Sequence, residues 1–266
     1  MEFNEKYTIS PLYLTAQSKR RSGLLVSPGI KFIVAHDTGN PQSTARGNRN
    51  YYENSRDADS ASAHIFVDDK EIIECIPALT SDKPEKAWHV LYNVPTDNQL
   101  FGFNANDAAI GVEYCYGNNI NADESYRKYI WVIAKICFTY GLNPASCIVG
   151  HCFLDPLRKT DPVSGLLQSR RTYDQLLKDI VIEFNECTGA ANQTYNFTSF
   201  PGTANIIHRV NIRKGAPTTK SDIVKILSVG TTIAYIGYVS NGEPVNGNSK
   251  WFKNEEGNYF WSGALS

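Results

Sequence analysis

Long apolar runs are missing from this 266-residue chain. No stretch of eighteen apolar residues occurs, which excludes a membrane-spanning helix of ordinary length. The N-terminus, MEFNEKYTISPLYL, opens with acids and has no apolar segment of the kind a secretory leader carries, so no export signal is expected. Net charge is nearly absent: 26 basic against 27 acidic residues leave −1, which gives no general pull toward nucleic acid or an acidic membrane. Cys-x-x-Cys pairs are absent, which argues against a structural zinc knuckle. The six cysteines (75, 115, 137, 147, 152 and 187) are expected as reduced thiols. Cys115, Cys137 and Cys147 lie in apolar segments and read as buried and inert. Histidine is scarce too, at five residues, and four of them (36, 64, 89 and 151) fall in the first part of the chain.

What is present is enough to fold. Hydrophobic residues make up 42% and aromatics 12%, which supports a packed core. Up to about residue 187 strands and helices alternate. KFIVAH and SAHIFVDDKEIIECI read as strands, the second as a hairpin turning at Asp68-Asp69-Lys70. AAIGVEYCY and CIVGH read as two more. Between them, residues 124–140 place Tyr126, Ile130, Ile133, Cys137 and Tyr140 on one helical face, which Gly141 and Pro144 end. A last helix is expected from Thr172, with Gln175 completing a capping box and Tyr173, Leu176, Leu177, Ile180 and Phe184 facing inward. Residues 188–204 are small, polar and aperiodic, which predicts a linker. The triplets at Asn192 and Asn196 that match a glycosylation pattern are read as chance. Residues 205–266 are short alternating strands broken by Gly, Pro and Asn, which predicts a separate small barrel.

The stretch KFIVAHDTGN poses a choice between His36 and Asp37. Asp-Thr-Gly after an apolar run suits an aspartic protease, but such an enzyme needs two of these motifs or a dimer of much shorter chains, and only one is present. A histidine at a strand end suits a zinc hydrolase, whose metal takes three protein ligands and keeps one position open. His36 and His151 each end a strand and can supply two. The third is sought nearby, where HCFLDPLRKTDP offers Asp155 and Asp161.

These segments together resemble the type-2 family of zinc-dependent N-acetylmuramoyl-L-alanine amidases, which is similar in fold to peptidoglycan recognition proteins. FIVAHDTG matches the family's first ligand strand, and GHCFLDPLRKTDP reproduces the spacing of a second His, a Lys and an acid. AIGVEY matches the strand that carries a catalytic Glu, while SAHIFVDDKEIIECIP and KAWHV match two further stretches. The resemblance covers about residues 30–186. It implies an α/β amidase domain with a central mixed sheet flanked by helices, over residues 1–187. It implies Zn²⁺ held by His36, His151 and Asp161, with Glu113 as general base and Lys159 as a catalytic cation. His64 and His89 are expected either as substrate or supporting contacts beside the metal or as packed histidines, and Ala63 stands where some relatives carry a Tyr. Cys152 is not taken as a ligand, and Asp37 is expected to make local hydrogen bonds.

The implied reaction is cleavage of the amide between N-acetylmuramic acid and L-alanine in peptidoglycan. Asn-rich ENSRDADSASA and LYNVPTDNQLFGFNAND would line the groove for that glycopeptide. VNIRKGAPTT and the aromatic KWFKNEEGNYFWSGALS resemble bacterial SH3-type domains, whose aromatics are either barrel core or, where left on the surface as Trp251 or Trp261 would be, anchors to the wall. An amidase with such a module looks like a phage endolysin, resident in the host cytoplasm and acting on the wall after release. A bacterial autolysin with the same chemistry and a non-catalytic peptidoglycan receptor are the alternatives. Bacterial peptidoglycan is the expected partner, nucleic acid and membrane insertion are not, and a monomer is the expected state.

Overall fold

The computed structural model describes residues 2–117, 119–189 and 195–266, and the chain divides into two compact units, 1–191 and 192–266. The triplet at Asn192 lies outside the described residues.

In the first unit six strands form one mixed sheet. They are β1 (Ile9–Pro11), β2 (Phe32–Asp37), β3 (Ile65–Val67), β4 (Ile72–Glu74), β5 (Ala109–Tyr114) and β6 (Ile148–Gly150). Their order across the sheet is β1-β4-β3-β5-β2-β6. The pairs around β2 and β5 are parallel, and the β3–β4 hairpin is antiparallel. Its turn is held by Asp68, whose Oδ1 accepts from the backbone N–H groups of Lys70 and Glu71, both at 2.8 Å. The central strands are buried on both faces, as expected of parallel strands covered on each side.

The period of two along those strands sorts the side chains. Ile33 and Ala35 of β2, with Ile110, Val112 and Tyr114 of β5, enter the main core. Helices α4 (Ala122–Tyr140) and α7 (Tyr173–Cys187) cover this face with Tyr129, Trp131, Ile133, Leu176 and Ile180. Each such side chain contributes about 1.5–3 kcal/mol by leaving water. Phe32 and Val34 point to the opposite face, where they pack with Ala105 and Ala108 of α3 (Ala105–Ala108) and with Leu154 of α5 (His151–Leu154). By the same alternation His36 and Glu113, directly paired across β2 and β5, emerge together on this second face.

Helix ends follow their sequence signals. Thr172 caps α7 by accepting from Gln175 N–H at 3.1 Å. Gly141 ends α4 at φ 63°, and Leu142 N–H returns to Cys137 C=O at 2.8 Å. Helix α1 (Ala45–Asn54) is capped by Thr44, and Asp68 Oδ2 accepts from Ala45 N–H. Within 91–107, helix α2 (Thr96–Phe101) and helix α3 replace the expected groove-lining loop. Asn104 Oδ1 accepts from Asn106 N–H and Asp97 Oδ2 of α2 accepts from Ala105 N–H, so polar residues that suggested a loop hold the start of α3. A further short helix, α6 (Val163–Gln168), precedes α7.

In the second unit β7 (Phe197–Asn205), β8 (Val210–Arg213), β9 (Ile223–Leu227), β10 (Thr232–Val239), β11 (Trp251–Lys253) and β12 (Tyr259–Trp261) form an all-antiparallel sheet. Its order is β7-β10-β11-β12-β8-β9. Ile206, Val210, Ile212, Phe252 and Phe260 make its core. Strand β7 corrects the expected 188–204 linker, since Phe197–Asn205 pairs along β10. Most of β7 is exposed on both faces, so no hydrophobic alternation marks it in the sequence. Trp251 is 1% exposed and its Nε1 donates to Glu243 C=O at 2.8 Å, which makes it core rather than a surface anchor. Trp261 is half-buried, with Nε1 donating to Asn248 C=O.

Candidate metal centre

His36, His151 and Asp161 come together although 125 residues separate the first from the last. Asp161 Oδ2 lies 2.9 Å from His36 Nδ1 and 3.0 Å from His151 Nδ1. His36 reaches this point at the end of β2, where Tyr129 O–H of α4 donates to its carbonyl at 3.0 Å. His151 begins α5 directly after β6, and the loop that follows doubles back so that Cys152 N–H donates to Asp161 C=O at 2.8 Å. Gly150 makes this return possible, because a Cβ there would stand 2.8 Å from Pro162 Cδ. Asp155, the other candidate acid, instead pairs with Arg158 on the same loop.

The electrostatics suit a cation. Burial holds the His36 pKa down at about 4, so the ring is neutral at pH 7 with lone pairs to offer. Burial pushes the Asp161 carboxyl up, but the bonds from His151 and His36 outweigh it and hold the group below the usual carboxylate range. Two imidazole nitrogens and one carboxylate oxygen lie within 4.8 Å of one another, a donor set that fits a divalent metal of the zinc type. His151 Nε2, the ring's other nitrogen, is buried without a partner.

His89 stands behind His36, its Nδ1 3.0 Å from His36 Nε2. That contact leaves His36 Nδ1 as the nitrogen facing Asp161. Burial, then the neighbouring imidazoles, keep the His89 pKa well below normal. Gly111 lets the ring approach β5 closely, since a Cβ there would meet His89 Cγ and Nδ1 at 2.8 Å. His89 N–H donates to Asn106 Oδ1, which fixes its backbone. Glu113 lies across from His36 in β5, and its buried Oε2 has no hydrogen-bond partner. Burial, then the charges of Asp161 and Asp37, raise its pKa well above the usual carboxylate value.

A cleft of about 820 Å³ opens over these groups, lined among others by Tyr52, Trp88, Glu113, Lys159 and Asp161. His64 does not line it. Its Nδ1 accepts from Gly111 N–H at 3.0 Å and its Nε2 donates to Glu85 C=O at 3.0 Å, so both ring nitrogens are spent on backbone and the expected substrate contact is replaced by a structural one. Ala61 and Ser62 of the first Asn-rich loop line the cleft, whereas no residue of 91–107 does. Asp37 takes the local role: its carboxylate accepts from Gly39 N–H, Ser164 Oγ–H and Gly165 N–H, joining the end of β2 to the start of α6.

The model of a family described as N-acetylmuramoyl-L-alanine amidase, Amidase_2, matches residues 27–164, just over half of the chain. The chain belongs to this family. A probable N-acetylmuramoyl-L-alanine amidase of Bacillus licheniformis is 36% identical over 134 residues, 49% of this chain and 36% of that protein. The N-acetylmuramoyl-L-alanine amidase BlyA of Bacillus subtilis strain 168 is 33% identical over 172 residues, 61% of this chain and 44% of its own length. The chain thus spans less than half the length of these curated relatives. The catalytic domain of XlyA shares the fold, with a TM-score of 0.52 at 22% identity over 65% of this chain and 99% of that domain. The Amidase_2 match contains His36, His64, His89, Glu113, His151, Lys159 and Asp161.

Proposed function

We propose that the protein is a peptidoglycan hydrolase that cleaves the amide between N-acetylmuramic acid and the L-alanine of the peptide stem. The observation that carries this reading is the convergence of His36, His151 and Asp161 beside an unpartnered Glu113, on the fold of an amidase family. His36 Nδ1, His151 Nδ1 and an Asp161 oxygen are the atoms that would hold zinc. Zinc bound there would supply Lewis acidity and would lower the pKa of water to roughly 7.

The chain's own residues perform the remaining tasks. Glu113 takes a proton from the attacking water and returns it to the departing alanine nitrogen, a role for which its buried Oε2, without a hydrogen-bond partner, is free. Lys159 sits half-buried on the cleft wall, and its ammonium stabilises the charge that develops on the carbonyl oxygen. His89 keeps the His36 ring in the tautomer and orientation that present Nδ1.

The second unit serves, in this proposal, as an SH3-type wall-binding module, and the protein works as an endolysin that meets the wall after leaving the host cytoplasm. A tethered module raises the local concentration of the catalytic unit to roughly millimolar. A non-catalytic receptor is the alternative, and the complete set of two imidazoles, an acid, a general base and a cation argues against it. The test is incubation with a soluble N-acetylmuramoyl pentapeptide. Release of a peptide with a free alanine amine and of intact N-acetylmuramic acid supports the reading, and an unchanged substrate contradicts it. Residues 192–266 alone should sediment with purified walls without hydrolysing them, and a segment that stays in the supernatant with every wall type refutes the targeting role.

A further inference from the structure

The described residues ahead of the family match, 2–26, are not a loose tail. Strand β1 adds to the sheet beside β4, and Leu14 is 1% exposed. Arg21 makes a two-pronged pair with Glu85 at 2.7 and 2.8 Å, and Arg49 of α1 donates to the carbonyls of Leu12 and Tyr13. At the centre of this segment is Arg20, a charged side chain only 1% exposed. Its backbone N–H donates to Arg56 C=O at 3.1 Å. Its Nη1 donates to Ala61 C=O, and its Nε and Nη2 donate to Ser55 Oγ at 3.2 and 3.0 Å. The Asp59 carboxylate lies 3.6 Å from Nη2. The guanidinium also stacks over the ring of Tyr52, 4.3 Å from its centre, with Tyr51 at 5.5 Å.

Every one of these partners belongs to the end of α1 or to the loop 55–61 that follows it, and Tyr51, Tyr52 and Ala61 line the cleft. The loop's other hydrogen bonds among the described residues, such as Ser55 Oγ–H to Tyr51 C=O and Ala61 N–H to Asp59 Oδ1, run within residues 51–61. At its far end Ser62 exchanges hydrogen bonds with Trp88, its N–H donating to Trp88 C=O at 3.1 Å and its Oγ accepting from Trp88 N–H at 3.0 Å. Trp88 is also on the cleft and precedes His89. A buried guanidinium spends its five donors in fixed directions. Here those directions set the course of one wall of the cleft.

We infer that Arg20 is a positioning residue for substrate. It holds the Tyr51–Ser62 wall in the shape that receives the glycopeptide and touches no reacting atom itself. This rests on the amidase reading of the cleft. Because the wall is distant in role from the metal ligands and from Glu113, loss of Arg20 should weaken binding of the substrate and spare the chemical step.

The test uses the full chain and a soluble N-acetylmuramoyl pentapeptide. Arg20→Met should raise KM about tenfold, the scale of losing charge-assisted hydrogen bonds, with kcat within about twofold of wild type and metal content unchanged. Arg20→Lys keeps a cation over Tyr52 but loses the fork, and should recover part of the affinity. A KM unchanged in Arg20→Met, or a fall in kcat that tracks loss of folded protein at constant KM, overturns the inference. If Arg20→Met does not fold, Ser55→Ala decides, since it removes only the hydroxyl: a KM raised about threefold supports the role and a wild-type KM overturns it. Amide hydrogen exchange separates this inference from the amidase reading. Arg20→Lys should exchange faster at residues 56–62 and unchanged in β2 whatever the substrate proves to be, and an unaltered loop refutes the positioning role even if wild type hydrolyses the peptide.

Discussion

Replacing Gly111 by Ala puts a methyl group where His89 already lies. The new Cβ would stand 2.8 Å from both Cγ and Nδ1 of the ring and 3.2 Å from its Cβ. Carbon contacts settle at about 3.5–4.0 Å, so ring and strand must separate by roughly 0.7 Å. Strand β5 is held along both edges, by β3 and by β2, so the ring yields. Its Nδ1 is the atom 3.0 Å from His36 Nε2, and a retreat of that size stretches the bond beyond useful hydrogen-bond length. Two effects follow. Overpacking costs about 1–3 kcal/mol, which in a unit of this size lowers Tm by roughly 2–12 °C. Loss of the partner that orients a ligating imidazole costs on the order of 10- to 100-fold in metal affinity. Thermal unfolding of the chelated protein measures the first, and zinc titration against a chromophoric chelator measures the second. Zinc affinity within twofold of wild type would refute the reasoning that His89 aims His36.

Four further outcomes are expected. Glu113→Gln should lower kcat on the order of 10²- to 10⁴-fold while zinc content stays at the wild-type level; equal metal loss in this variant and in Asp161→Ala would make Glu113 a ligand. In chelated protein, Glu113 has a folded pKa above its unfolded one, so the stability it contributes is lost as pH rises through the folded value. Chelated Glu113→Gln should therefore gain on chelated wild type as pH climbs above the ordinary carboxylate range, and a constant difference in Tm across pH would contradict this. His64→Ala should destabilise the fold by about 1–3 kcal/mol, because Gly111 N–H and Glu85 C=O lose their partner, with KM unaltered; a raised KM at normal stability would restore the substrate contact. Asp37→Asn should stay active with full zinc content, and a stable but inactive, zinc-replete enzyme would reopen the choice between His36 and Asp37.

Much of the site was legible because strands state their faces. Apolar runs ending in His36 and His151, and a lone carboxylate in AIGVEY, mark polar groups that burial must explain, and in the structure His36 and Glu113 share one face of the sheet while His151 follows β6 and meets His36 at Asp161. The helix at 172–187 was legible from one face and one cap, Thr172. What failed had no periodicity to show. Strand β7 is exposed on both sides, and Asp97 and Asn104, which hold the start of α3, are of the types that make a loop. His64 and His89 looked alike in sequence, yet backbone partners occupy one and a second imidazole meets the other. Arg20 carried no signal at all, since an arginine near a chain end reads as surface charge until its partners 35 to 41 residues away fold over it. Gly111 and Gly150 matter through a neighbour's ring, which no local pattern encodes.

Purified protein should carry one zinc ion per chain by elemental analysis. Stripping that ion with a strong chelator should abolish hydrolysis of the N-acetylmuramoyl pentapeptide, and one equivalent of zinc should restore it. Asp161→Ala should neither hold the ion nor regain activity. Full hydrolysis by protein verified to contain no metal would contradict the account, because His36, His151 and Asp161 would then have converged for some other purpose.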